Sequence, residues 1–282
     1  MATSRLEILC ATMGQTDFSK LQEMKIQCDV VFANQSDRFS YEERTWDGHT
    51  AKLLTTPTLG VGKNRNLALA LATGELLLFA DDDMEYVEGA PDGVAEAFDR
   101  LPAADVILFG THYSRHGAVY RTRQPKTGRL PVYRALRYGT YAIAIRRAAL
   151  MKYGLRFSEL FGGGCLYSHG EDSDFILQCY RKGLSVYSCG FIIGTTKKDT
   201  STCFHGYSPQ FFYDKGALAR HSFGLLAIPY MAYIAGKAEY PSELSWLGKW
   251  RCLWNGYRRF PSLQSYDSWA AESAGRERGA PP

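Results

Sequence analysis

The chain has no CxxC pair and no Cys/His spacing of the kind that holds zinc, and its seven cysteines are an odd number. That argues against a metal-stapled or disulfide-built scaffold, and most of the thiols are expected to be reduced and buried. No stretch approaches the roughly 18 uninterrupted apolar residues of a membrane span. The start, MATSRLEILCATMG, lacks the basic opening, long apolar core and cleavage site of a secretory signal, so a cytoplasmic location is expected. There is no Walker lysine signature, no GxGxxG after a strand and no internal repeat. A net charge of +4 over 282 residues is small, which excludes a general nucleic-acid binder, although many basic residues fall in the C-terminal part. With 45% hydrophobic and 22% charged residues, the chain has the makings of one sizeable core plus an appendage.

What is present is acid, in two places. The run LLLFADDDM is an apolar strand that ends on Asp81, Asp82 and Asp83, and HGEDSDF later adds Glu171, Asp172 and Asp174. A strand that stops on carboxylates places them at its C-terminal end, where open α/β sheets bind ligands. Carboxylates this close repel unless a cation or a shared proton intervenes, and oxygen ligands suit Mg²⁺ or Mn²⁺. The first cluster therefore reads as a cation and diphosphate site, the second as a source of a catalytic carboxylate. The plain alternative is that both are solvated loop acids.

LEILCAT, DVVFA, TAKLLTT and LLLFA are expected strands, with a helix from Lys63 through Leu71 between the last two. Alternation of this kind predicts a mainly parallel α/β sheet flanked by helices. A helix over Val94–Arg100, a strand DVILF, a hairpin or mobile loop over Thr111–Tyr138, a strand YAIAI and a helix over Arg147–Tyr153 follow. The loop FGGGCLYSHG then delivers HGEDSDF onto a helix. The glycines of LGVGKNRN bring Lys63, Asn64, Arg65 and Asn66 to the first turn of the Lys63 helix, where backbone N–H groups and the helix dipole favour an anion. A glycine turn with basic surface residues is the alternative.

The order of these features resembles the inverting family-2 glycosyltransferases with a GT-A fold, of the capsule and cell-surface glycan type. The resemblance covers roughly residues 5–220, and FADDDM followed by GEDSDF carries most of it. It implies transfer of a hexose or similar sugar from a nucleotide-diphosphate donor to a hydroxyl of a glycan or lipid-linked glycan. Asp81 and Asp83 match the ends of the DxD motif that holds Mn²⁺ or Mg²⁺ on the donor phosphates, with Asp83 the preferred direct ligand. Asp82 is placed near the ribose or sugar. Asp172 matches the second acid of the ED motif, the general base, with Glu171 and Asp174 as support or acceptor contacts. Arg65 matches a basic residue near the nucleotide, with Lys63 and Asn64 beside it. Thr12, and Asn34, Gln35 or Asp37, stand where the family grips the nucleoside. FANQSD departs from the family's Asp-containing turn there, although uracil is the common base.

Separate acid clusters suit a single displacement, because the cation stabilises the leaving diphosphate while another carboxylate takes the acceptor proton. Asp172 as a helix N-cap is the structural alternative. His205 is a further metal candidate and His169 an orienting one, each with a plain structural reading. Trp46 and Phe211, Phe212 and Tyr213 are read as sugar-stacking or core, Lys215 and Arg220 as a solvated helix face. Residues 1–220 are expected to form the catalytic domain and 221–282 a helical appendage whose last residues, AAESAGRERGAPP, are disordered. In that appendage WLGKWRCLWNGYRRF interleaves Trp with Lys and Arg, a pattern for the inner face of an anionic membrane or for a packed cap. Two other functional readings are a haloacid-dehalogenase-like phosphohydrolase and a non-catalytic nucleotide-sugar or glycan-binding module.

Overall fold

The computed structural model describes residues 5–197, 206–237 and 240–277. The chain divides into two compact units, one drawn from Met1–Ser158 and Phe175–Ser201, the other from Glu159–Asp174 and Thr202–Pro282. The expected division at residue 220 falls inside a helix, Pro209–Ser222, whose side chains belong to the core of the second unit.

The first unit holds the sheet. Its strands are β1 (Leu6–Met13), β2 (Asp29–Gln35), β3 (Ser40–Trp46), β4 (His49–Thr56), β5 (Leu76–Asp81), β6 (Met84–Tyr86), β7 (Val106–Arg115), β8 (Ala118–Arg123), β9 (Gly128–Arg129), β10 (Ile143–Arg146) and β11 (Val186–Lys197). They run in the order β3-β4-β2-β1-β5-β10-β7-β11-β6, with β8 on β7 and β9 on β11. The α/β architecture read from the sequence is the one observed. The stretch β4-β2-β1-β5 is parallel throughout, whereas β10 joins both β5 and β7 antiparallel, so the sheet as a whole is mixed. Fully buried runs such as Leu76–Ala80 are what a parallel strand covered on both faces requires.

Helices α1 (Lys20–Glu23), α2 (Val61–Leu71), α3 (Ala90–Arg100), α4 (Val132–Ala135) and α5 (Arg147–Tyr153) follow in this unit, and the division between units falls within α6 (Glu171–Arg181). Phe79 on β5 packs edge-on against Phe157 at 4.9 Å and Phe175 at 5.3 Å, and those two rings stack at 4.4 Å. β3 and β11 were not expected. β3 is polar and exposed nearly throughout, and the β11 sequence VYSCGFIIGTTK has no clean alternation because it kinks twice against β7.

The second unit is helical: α7 (Pro209–Ser222), α8 (Ala227–Gly236), α9 (Trp246–Arg259) and α10 (Tyr266–Glu277). Ser208 caps α7 by accepting the Phe211 N–H, and Ser245 caps α9 by accepting that of Gly248. Glycine lets α7 and α9 touch backbone to backbone. A Cβ on Gly216 would lie 1.9 Å from the Leu253 carbonyl oxygen, and one on Gly256 would lie 1.9 Å from that of Tyr213. The helices of the second unit thus pack closely on one another. Lys249 turns inward, its Nζ donating to the Tyr240 carbonyl at 3.1 Å and lying over the Phe212 ring. Residues 270–277, expected to be disordered, continue α10, while 278–282 lie outside the described residues. Among the described residues no helix is long and apolar enough to cross a membrane. Six described cysteines are free and four of them are buried; Cys203 lies outside the described residues.

Candidate active site

In the first unit, sequence-distant polar residues meet at the C-terminal ends of β1, β2 and β5. The register Ala11↔Asp81 and Ala11↔Ala33 puts the aspartate turn beside the loops after β1 and β2. Asn34 is fully buried and its amide is engaged on both sides: Oδ1 accepts the Gln15 N–H at 2.9 Å and the Thr12 hydroxyl at 3.3 Å, and Nδ2 donates to the Gln15 carbonyl and Thr55 Oγ1. Thr12 and Asn34 therefore lock the strand ends together. The Gln35 side chain accepts the Gly60 N–H at 2.8 Å, tying β2 to the start of α2. Asp37 is exposed and accepts the Ser36 hydroxyl.

The first turn of α2 sends its residues three ways. Lys63 is exposed, and the buried Asn64 donates to the Thr12 carbonyl at 3.1 Å and to that of Ala33. Arg65, only 3% exposed, reaches the aspartates and donates from Nη2 to Asp81 Oδ1 at 2.7 Å while its guanidinium lies over Phe157. A charge-assisted bond in a site this enclosed is strong and fixes the Asp81 carboxylate in place. Asn66, not singled out for a role, exchanges two amide bonds with the Phe157 backbone and anchors α2.

Asp82 is half-buried, and burial raises its pKa against the pull of Lys20, 4.0 Å away. Lys20 itself feels burial as a penalty, which Glu23 and Asp82 outweigh, so its pKa is raised. This lysine on α1 is a site residue that sequence spacing did not reveal, because nothing in SKLQE points to Asp82. The Asp83 carbonyl accepts the Lys197 N–H at 3.0 Å, fixing the turn to the end of β11.

In the second unit Gly170 precedes α6 with φ at +119°, and a side chain there would also press on Leu218. Glu171 and Asp172 follow, both half-buried; Glu171 accepts the Gly170 N–H at 3.1 Å and Asp172 accepts the Ser173 N–H at 2.8 Å. Asp174 is buried and its Oδ1 accepts the Ser222 hydroxyl at 2.7 Å with His221 Nε2 at 3.4 Å, so it fastens α6 to α7. His169 lies between Ser168 and the Phe211 carbonyl and stacks on the Phe211 ring; burial, with Lys215 nearby, pushes its pKa well down and keeps the imidazole neutral.

Lys215 is not on a solvated face. It is half-buried among Asp172, Glu171 and Asp214, and burial lowers its pKa against the pull of those acids. Arg220 is exposed and donates to the Tyr257 hydroxyl. Asp214 is fully buried; it accepts the Ser168 N–H and hydroxyl at 2.9 and 2.6 Å, and burial raises its pKa to about 6. Phe211, Phe212 and Tyr213 are core, and Trp46 packs against the core of the first unit. His205 lies outside the described residues. Among the described residues no three His, Cys, Asp or Glu side chains group as a metal cage.

A profile of the family described as Glycosyl transferase family 2 matches residues 36–156, a span that includes α2 and the aspartate turn. None of the curated protein sequences gives a match. Among solved structures, residues 1–349 of S. aureus TarS in complex with UDP-GlcNAc superpose with a TM-score of 0.58 at 16% identity, covering 95% of this chain and 76% of that one. The same TarS segment in complex with UDP gives 0.56 at 17% identity over 92% and 72%. A longer S. aureus TarS structure gives 0.55 at 16% identity, covering 93% of this chain and 44% of that one. The structural likeness establishes the fold, and the profile match supports a family-2 glycosyltransferase.

Proposed function

We propose that this chain is an inverting glycosyltransferase that moves a sugar, a hexose by preference, from a UDP-linked donor to a hydroxyl of a glycan or lipid-linked glycan. The observation that carries the reading is the Asp81–Asp83 turn at the C-terminal end of β5, with Arg65 locked onto Asp81. The family match over residues 36–156 favours a transferase over the phosphohydrolase and the non-catalytic module. TarS, solved with UDP-GlcNAc and with UDP, supports the nucleotide assignment.

Asp81 and Asp83 are the proposed protein ligands of a Mn²⁺ or Mg²⁺ ion. Two carboxylates fit that ion, because magnesium-type sites are commonly completed by substrate phosphates and water rather than by a full protein cage. When bound, the ion neutralises charge on the departing diphosphate. Arg65 holds Asp81 in one orientation and adds positive charge beside the phosphates. Asp172 takes the proton of the acceptor hydroxyl, and its bond from the Ser173 N–H keeps one carboxylate oxygen fixed. Lys215 places positive charge beside Asp172. An acceptor on a lipid would place the enzyme at the inner membrane surface, with Leu225, Leu226 and Leu247 of the second unit as the exposed apolar contacts. The test is release of UDP from UDP-sugars with and without Mn²⁺; no release and no binding from any of them would overturn the reading.

A further inference from the structure

Between Asp105 and Glu159 the chain carries no Asp or Glu at all, yet it carries 11 Lys or Arg, so the rest of the molecule is net acidic. Four of those 11 serve local structure or lie on α5 and beyond. Arg146, for example, pairs with Glu75, and Arg147 donates to the Gly74 carbonyl. The other seven fall between His112 and Tyr138, on the β7–β8 hairpin and the turns after it. Six of the seven are exposed and Arg123 is half-buried. Among the described residues none of the seven makes an ion pair.

Four of these seven cations are held in order by tyrosines. The Arg123 guanidinium lies 4.6 Å over the Tyr138 ring, Arg121 5.5 Å over Tyr113, Arg115 5.7 Å over Tyr120 and Arg134 5.8 Å over Tyr133. A guanidinium stacked on a ring keeps its N–H edge free for a planar anion and loses less freedom on binding. The patch adjoins the aspartate turn. β10 runs antiparallel to β5, so the 3-10 turn Thr140–Ala142 that leads into it lies toward the Asp81 end of β5, and the Tyr141 hydroxyl donates to that of Tyr113 at 3.1 Å beneath Arg121. A single diphosphate, largely neutralised by its own cation, does not need seven further positive charges. A polyanion does.

We infer that the Arg- and Tyr-rich surface of the β7–β8 hairpin binds an acceptor polymer bearing repeated phosphate or carboxylate groups and feeds it toward the Asp81 turn. The inference rests on the transferase reading for the word acceptor, and its test reads polymer and donor separately. Labelled inorganic polyphosphate and polygalacturonate serve as probes, with neutral dextran as control, phosphatidylglycerol vesicles as the lipid arm, and UDP with Mn²⁺ as the donor arm. The wild-type chain should bind both polyanions and not dextran, with affinity falling as salt rises. R121Q/R123Q, and independently R134Q/R137Q on the exposed turn, should each weaken polyanion binding at least tenfold and leave UDP affinity and the thermal midpoint unchanged. Equal polymer affinity in wild type and both variants, or dextran binding as tight as polyanion binding, would overturn the inference. So would a parallel loss of UDP affinity, which would assign the arginines to the donor. Vesicle binding lost in the variants without polymer binding would assign the patch to lipid instead. Absence of UDP binding in the wild-type chain speaks against the transferase reading alone.

Discussion

Asp172 and Asp214 are both acids of the second unit, and their surroundings set them different tasks. Asp172 is half-buried with one oxygen held by the Ser173 N–H. Asn at this position keeps an acceptor for that bond but cannot take a proton. Asp172→Asn is therefore expected to bind UDP as the wild type does and to lose about 10²–10⁴-fold in transfer rate. Steady-state turnover beside a UDP titration checks this, and near-normal turnover would make Asp172 a cap only. Asp214 is buried with a pKa of about 6, against an ordinary value of 3.8. Its folded pKa lies above the unfolded one, so the folded state holds this proton more tightly. Its contribution to stability is greatest below the unfolded value, falls as pH rises through that window and is flat above it. The raised pKa corresponds to a swing on the order of 3 kcal/mol. Asp214→Asn should accept from Ser168 without titrating, so the difference between wild type and variant in denaturant unfolding should change between about pH 4 and 6. Parallel pH profiles would remove Asp214 as the source.

At the scale of elements, the α7–α9 crossing is the least forgiving contact of the second unit. Gly216 and Gly256 each meet a backbone carbonyl of the other helix, and backbone cannot move aside as a side-chain tip can. Gly216→Ala and Gly256→Ala should each cost about 1–3 kcal/mol or more, seen as a lower thermal midpoint. An unchanged midpoint in both would mean that the helices do not pack so closely. In the sequence this region shows only aromatic and basic texture, because neither glycine stands in a turn motif. β1, β2, β4, β5, α2 and the hairpin are legible there, where apolar runs and glycine turns are local signals. β3, which is polar and exposed, and β11, whose period is broken by its two register shifts, are not. Within the site, DDD and GED were legible as motifs. The inward turn of Asn34, Asn64 and Asp174 was not, since burial of a polar side chain depends on partners far away in sequence. Lys20 and Lys215 were missed for the same reason.

For the whole molecule, the β5 aspartate turn, set by Arg65 and backed by the parallel strands, is the proposed cation-dependent nucleotide-diphosphate site. A ligand that binds only the folded chain raises its stability, so UDP with Mn²⁺ should raise the thermal midpoint more than either alone. Losing Asp83 removes a proposed ligand and part of the charge that offsets the ion, while the Asp81–Arg65 pair and the sheet remain. The most direct measurement is a calorimetric titration of UDP into wild type and Asp83→Ala, each with and without Mn²⁺. Saturable binding that requires Mn²⁺ is expected in the wild type, weakened at least tenfold in the variant, with both proteins folded. Equal affinity in the two proteins with Mn²⁺ present, or wild-type binding indifferent to the cation, would contradict it.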